Sequence, residues 1–178
     1  MYYTGKGDKG TSSLYNLSDR ISKADEIFEV LGSLDELNSY LGLVSVGAKE
    51  FDYLFDIIKK TQQNLFIIQA YFAKSDIEIS KNLLEDTENI IKDISLKIKP
   101  RNSFVLSGGS HLSATLDICR TLARKTERRA IRLNDRYKNT LNELVFAYLN
   151  RLSSLLYVLA RLANDFYNLE EDKPNYNK

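Results

Sequence analysis

Apolar residues recur at three- and four-residue steps through five separate stretches of this chain, the period of one buried face of an α-helix. In residues 22–47, Ile27, Val30, Leu31, Leu34, Leu37, Leu41 and Val44 form such a stripe. Ser22 is the expected N-cap, with Asp25 and Glu26 in the first turn, where acidic groups favour the helix dipole. Residues 51–73 place Leu54, Ile57, Ile58, Leu65, Ile68 and Phe72 inward, and residues 80–98 do the same with Leu83, Leu84, Ile90, Ile91, Ile94 and Ile98. A fourth helix is predicted from Ser110 to Leu133. The fifth runs from about Asn139 to Leu169, with Leu141, Leu144, Val145, Leu149, Leu152, Leu156, Leu159 and Ala163 facing the core. No stretch alternates with period two, and no internal repeat or second domain is evident. The pattern predicts an all-α, five-helix bundle occupying residues 1–169, followed by a polar tail, 170–178, expected to be disordered.

The fourth helix carries two faces that want different surroundings. Leu112, Leu116, Cys119, Leu122, Ala123 and Thr126 form an apolar stripe, while Arg120, Arg124, Glu127 and Arg128 gather on another. Such a run is either a solvated face laced with weak i,i+4 pairs or a grip for phosphate, which the planar guanidinium fork binds bidentately. Two other stretches weigh on that choice. The N-terminal segment is punctuated by Gly5, Gly7 and Gly10, with Thr4, Lys6, Asp8, Lys9, Thr11 and Ser12 between and beside them, and Arg20 and Lys23 follow. These residues have the chemistry of a phosphate cradle, although the spacing is not that of a P-loop, and a flexible glycine-rich arm has the same composition. In the fifth helix Asn150, Ser154, Tyr157 and Arg161 make a polar line with Arg151 beside it, open to interhelical or ligand contacts.

Length and charge narrow the function further. The chain has 178 residues, enough for one sizeable core. With 25 Lys and Arg against 24 Asp and Glu, a protein devoted to coating nucleic acid or an anionic membrane is disfavoured. One cysteine, Cys119, permits no internal disulfide, and one histidine, His111, permits no multi-imidazole metal site. No leader-like segment opens the sequence and no run of 18 apolar residues occurs, so a cytoplasmic location is expected. No side chain pairs a nucleophile with an adjacent base, so an enzyme of this composition would supply positioning and charge stabilisation. Residues 99–109 hold the apolar trio Phe104, Val105 and Leu106 in a loop, either tucked onto the bundle or walling an apolar ligand.

Four stretches, in order, resemble the PduO-type ATP:cob(I)alamin adenosyltransferases. They are YTGKGDKGTSSL at 3–14, RISKADEIFEVLGSLDELNSYLG at 20–42, FVLSGGSHLSATLDICRTLARKTERRA at 104–130 and LNRLSSLLYVLARLAN at 149–164. The resemblance implies a homotrimer with ATP bound between subunits and transfer of its 5′-deoxyadenosyl group to cob(I)alamin. By matching motifs it assigns Thr4, Gly5, Lys6, Gly7, Asp8, Gly10, Thr11, Ser12, Arg20 and Lys23 to the triphosphate. Arg124, Glu127, Arg128, Asn150 and Arg151 fall to ATP and its magnesium, Asp35 and Arg120 to a salt bridge across the interface, and Phe104 to the lower face of the corrin. No protein-held metal is implied, and a reductase and an adenosylcobalamin-dependent client enzyme are the implied protein partners. The chain departs from the family pattern at Gly5, Lys125 and Ser107, where Lys or Arg, Arg, and Pro are frequent. Two competing readings are an ATP-binding regulator without cobalamin chemistry and a helical interaction module for RNA.

Overall fold

The structure, a computed structural model, describes residues 2–100, 103–138 and 140–176; the expected helix start at Asn139 and the tail's last two positions lie outside these. The described residues form five helices, α1 (Glu26–Gly47), α2 (Asp52–Phe72), α3 (Lys81–Lys97), α4 (His111–Arg136) and α5 (Glu143–Phe166). α1, α2, α3 and α5 each lie within a stretch whose apolar period predicts them, and α4 runs three residues past the expected end at Leu133, to Arg136. The buried stripes are the expected ones: Ile27, Val30, Leu34, Leu37, Leu41 and Val44 in α1, and Leu54, Ile58, Leu65, Ile68 and Phe72 in α2, are all nearly or fully removed from solvent.

Helix starts follow side-chain capping except at α2, where Phe51 makes no capping bond. Ser80, Ser110 and Asn142 accept from the backbone N–H of Asn82, Ser113 and Leu144. The first helix caps three residues later than expected: Asp25, not Ser22, accepts from Ile27 N at 3.1 Å. Ser22 is instead drawn into a two-residue strand. Thr11–Ser12 (β1) pairs antiparallel with Ile21–Ser22 (β2), a hairpin too short to leave a period-two signal.

α4 lies between α1 and α5, with α2 flanking α1 and α3 flanking α5. Asp25–Arg136, Glu29–Arg129 and Glu36–Lys125 run as ion pairs between α1 and α4, so these helices are antiparallel. α5 is long and apolar enough to cross a membrane by length and composition. Here that apolar length is the bundle's core: Val145, Leu149, Leu152, Leu156, Leu159 and Ala163 are fully buried.

The tail departs from the sequence expectation. Leu106 N donates to Asp172 O at 2.8 Å, and the Glu171 carboxylate is buried against Arg161 and Asn164. Residues 170–172 are therefore pinned to the bundle by one backbone hydrogen bond and a buried charge, two contacts that a polar composition does not reveal.

Candidate active site

The arginine helix divides its cations between two neighbours. Lys125, Arg129 and Arg136 turn to α1 and are spent on its carboxylates. Arg120, Arg124 and Glu127 turn to α5. There Arg120 and Arg124, with Ser153, Ser154, Tyr157 and Val158, line a cleft of about 260 Å³. Arg124 and Arg128 are exposed and make no hydrogen bond or ion pair among the described residues. The solvated-face reading expected Arg124 to pair within its helix, and that pairing is not seen.

Glu127 is held from outside the helix. Asn150 Nδ2 donates to Glu127 Oε1 at 2.8 Å, Arg151 Nη1 donates to Asn150 Oδ1 at 2.9 Å, and Arg151 Nε donates to Glu88 Oε1 at 2.7 Å. Four side chains from α3, α4 and α5 thus form one polar chain. It fixes the carboxylate beside two uncommitted guanidinium groups and leaves Glu127 Oε2 open for a further partner. Glu88 is the member that sequence reasoning missed, because it sits on an exposed face of α3 among other acids and carries no local signal.

The N-terminal segment is an ordered cradle rather than a loose arm. Gly5 and Gly10 adopt φ of +67° and +73°, which favours glycine, and Asp8 N and Gly10 N close tight turns on Gly5 O and Gly7 O. Arg20 clasps the loop: Nη2 donates to Lys6 O at 2.7 Å and Thr11 O at 2.6 Å, and Nε donates to Thr11 Oγ1 at 3.0 Å. The resemblance assigns Arg20 to the triphosphate; within the chain its Nε and Nη2 shape the loop. Lys23 N donates to Gly10 O at 2.8 Å, and Lys23 Nζ lies over Gly7. Thr4, Lys6, Asp8 and Ser12 line the same segment, with Thr4 Oγ1 accepting from Lys6 N.

Within one chain the cradle and the Arg124 face do not converge. The cradle adjoins the start of α1, which Asp25 ties to Arg136 at the far end of α4, and Arg124 lies about 18 Å back along that helix at 1.5 Å per residue. Asp35 and Arg120 form no pair within the chain. Asp35 is exposed with no partner among the described residues, while Arg120 Nε donates to Asp117 Oδ1 at 2.9 Å. Phe104 stands 79 % exposed on its loop, so it is not tucked onto the bundle.

Two charged residues near the cleft are buried, and the interhelical contact left open for the polar line of α5 is made by one of them. Arg161, placed on the polar line of α5, is only 1 % exposed, and Asp117, on the arginine helix, only 3 %. They pair at 2.6 Å. A charged residue enclosed by Val158, Leu159, Ala160, Leu162 and Ala163 is the signal that pointed inward, since a buried guanidinium requires a buried carboxylate. Cys119 is buried, as its place on the apolar stripe predicts, and desolvation pushes its thiol up to about 12. Among the described residues no group of three or more His, Cys, Asp or Glu side chains could hold a metal.

Comparison with known proteins bears on what this geometry serves. The corrinoid adenosyltransferase PduO of Salmonella typhimurium is 35 % identical over 89 % of this chain, which spans about half (48 %) of that relative's length. The corrinoid adenosyltransferase of Mycobacterium leprae is 32 % identical over 91 % of this chain and 90 % of its own. Among solved structures, a variant PduO-type ATP:corrinoid adenosyltransferase from Lactobacillus reuteri complexed with cobalamin and ATP superposes with a TM-score of 0.90. It is 24 % identical, covers 98 % of this chain and 99 % of its own, and shares the fold. The family model described as cobalamin adenosyltransferase matches residues 2–163, which takes in the cradle, the arginine face and the Asn150 chain together, and the protein belongs to that family.

Proposed function

We propose that this chain transfers the 5′-deoxyadenosyl group of ATP to the cobalt of cob(I)alamin, giving adenosylcobalamin and inorganic triphosphate. The observation that carries the reading is the pair of uncommitted guanidinium groups, Arg124 and Arg128, beside a Glu127 carboxylate fixed by Asn150, in a chain of this family. A polyphosphate supplies the negative charge those arginines lack. The reaction is a displacement at carbon: the electron pair of the cobalt(I) substrate forms the bond to C5′ as the C5′–O bond breaks, and triphosphate leaves with that bond's electrons. Negative charge then accumulates on the leaving group, where Arg124, Arg128 and Lys23 stabilise it without covalent participation.

Magnesium bound to the phosphates would offset part of the same charge. The residues fit that arrangement better than a resident metal site, because Glu127 offers one open carboxylate oxygen and, among the described residues, no group of three or more acidic side chains could build a cage. Thr4, Gly5, Lys6, Gly7, Asp8, Gly10, Thr11 and Ser12 wrap the triphosphate, Arg20 holds their loop in shape, and Asn150 and Arg151 keep Glu127 in place.

The working unit in this reading is a homotrimer, in which the cradle of one subunit meets the arginine face of the next. The separation of these two groups within one chain, and the unpartnered Asp35, both support that assembly. Asp35 then reaches Arg120 across the interface, and Phe104 covers the lower corrin face to exclude water and an axial base. The single domain spans residues 1–169, working in the cytoplasm. A reductase supplying cob(I)alamin and an adenosylcobalamin-dependent enzyme consuming the product are the partners such chemistry calls for. Binding of RNA phosphates is disfavoured by the ion pairs that already occupy Lys125, Arg129 and Arg136.

The test is anaerobic mixing with chemically reduced cobalamin and MgATP. Loss of cob(I)alamin absorbance with matching, ATP-dependent formation of adenosylcobalamin and triphosphate is expected. Phe104→Ala should keep MgATP binding while losing most turnover. ATP binding with no corrinoid turnover would instead identify a nucleotide-binding regulator.

A further inference from the structure

Arg161 sits at the crossing of the tail, the corrin-side loop and the cleft, and the function above leaves it unused. Its Nη2 donates to Asp117 Oδ2 at 2.6 Å, its Nε forms an ion pair with Glu171 Oε1, and its guanidinium carbon lies 4.9 Å from the centre of the Tyr157 ring. Asp117 turns its other oxygen outward to accept from Arg120 Nε at 2.9 Å. The result is a chain of alternating charge, Glu171–Arg161–Asp117–Arg120, whose inner three members are nearly solvent-free and whose last member lines the cleft. Asn164, one turn beyond Arg161 at this crossing, braces the other side. Its Nδ2 donates to Gly108 O and Glu171 Oε1, both at 3.0 Å, and its Oδ1 accepts from Ser110 N at 2.9 Å.

We propose that Arg161 is a positioning residue that locks Arg120, through Asp117, to a C-terminal strap, through Glu171, so that the strap sets the geometry of the cleft. Four charges balance in this chain. Removing the Glu171 charge leaves an excess guanidinium in the core and draws Asp117 toward Arg161, at the expense of its bond to Arg120. The Leu106–Asp172 hydrogen bond ties the same strap to the Phe104 loop, so one segment governs both sides of the site.

The catalytic part of this inference rests on the adenosyltransferase reading; the relay itself does not. The test is Glu171→Gln in the full chain, which keeps shape and removes charge outside the residues assigned to substrates. Nitrogen-resolved hydrogen exchange at Arg120 Nε–H should quicken by about tenfold or more while helicity is retained. Turnover should fall with MgATP affinity within about twofold of the parent, and Glu171→Gln combined with Arg120→Met should be no worse than Arg120→Met alone. Unchanged exchange at Arg120, or additive losses in the double variant, would overturn the relay. Should Glu171→Gln fail to fold, Arg161→Lys retains the charge without the fork and must show the same quickened exchange. If the parent protein shows no adenosyl transfer, the exchange result still decides the relay, and the functional reading alone falls.

Discussion

A methyl group placed on Gly7 would stand 2.9 Å from Lys23 Nζ, so glycine is what lets this ammonium lie directly over the cradle. The flexible end of the lysine can move aside, which predicts a functional rather than a folding defect. Gly7→Ala should leave the melting temperature near that of the parent and raise the Kd for MgATP several-fold. Lys23→Ala should mask that effect. Calorimetric titration of the two single variants and the double variant checks this, and additive losses would detach the lysine from the glycine.

Arg124 is exposed and forms no bond among the described residues, so truncating it costs the fold little. Arg124→Ala should change unfolding free energy by no more than about 0.5 kcal/mol. If Arg124 stabilises departing triphosphate, turnover should fall by about a hundredfold or more. Chemical denaturation and single-turnover kinetics on one preparation separate the two; near-normal turnover would remove Arg124 from the site.

Asp35 stands exposed in a helix where two of the other acids, Glu29 and Glu36, are paired to α4. Asp35→Asn should therefore leave the monomer fold intact while shifting sedimentation toward smaller species or weakening cobalamin binding. An unchanged assembly with unchanged corrinoid affinity would count against its pairing with Arg120 of a neighbouring subunit.

Burial raises the Cys119 thiol from 9.0 to about 12, which gives a signed dependence on pH. Below pH 9 both native and unfolded thiols are protonated and this group adds no pH slope. As pH rises from 9 toward 12 the unfolded chain releases its proton first, so the stabilisation is progressively lost. Cys119→Ala should flatten that part of the stability curve at the cost of a small cavity. In the native protein a disulfide-exchange reagent at pH 8 should label Cys119 only as fast as the chain opens.

Much of this protein was legible before its structure. Five helical periods were read from leucines and isoleucines at steps of three and four, because burying one face of a helix leaves that imprint along the sequence whatever the neighbours are. The glycine segment and the arginine face were legible as chemistry for the same reason: phosphate needs donors and permanent charge, and those residue types supply them.

Direction and partnership were decided only in three dimensions. Arg20 and Lys23 look alike as basic residues before a helix, yet Arg20 spends its donors on loop carbonyls while Lys23 Nζ stays over Gly7. Nothing in the local pattern says which residue Arg161 or Asp117 faces, and they are buried because each supplies the other's counter-charge across two helices. Glu171 belongs to a stretch polar enough to be read as loose, and a buried guanidinium ten positions earlier holds it. Periodicity reports which face of a helix is buried. It carries no information about which distant residue lies opposite, and that information sets the charge of a core, the order of a tail and the aim of an arginine.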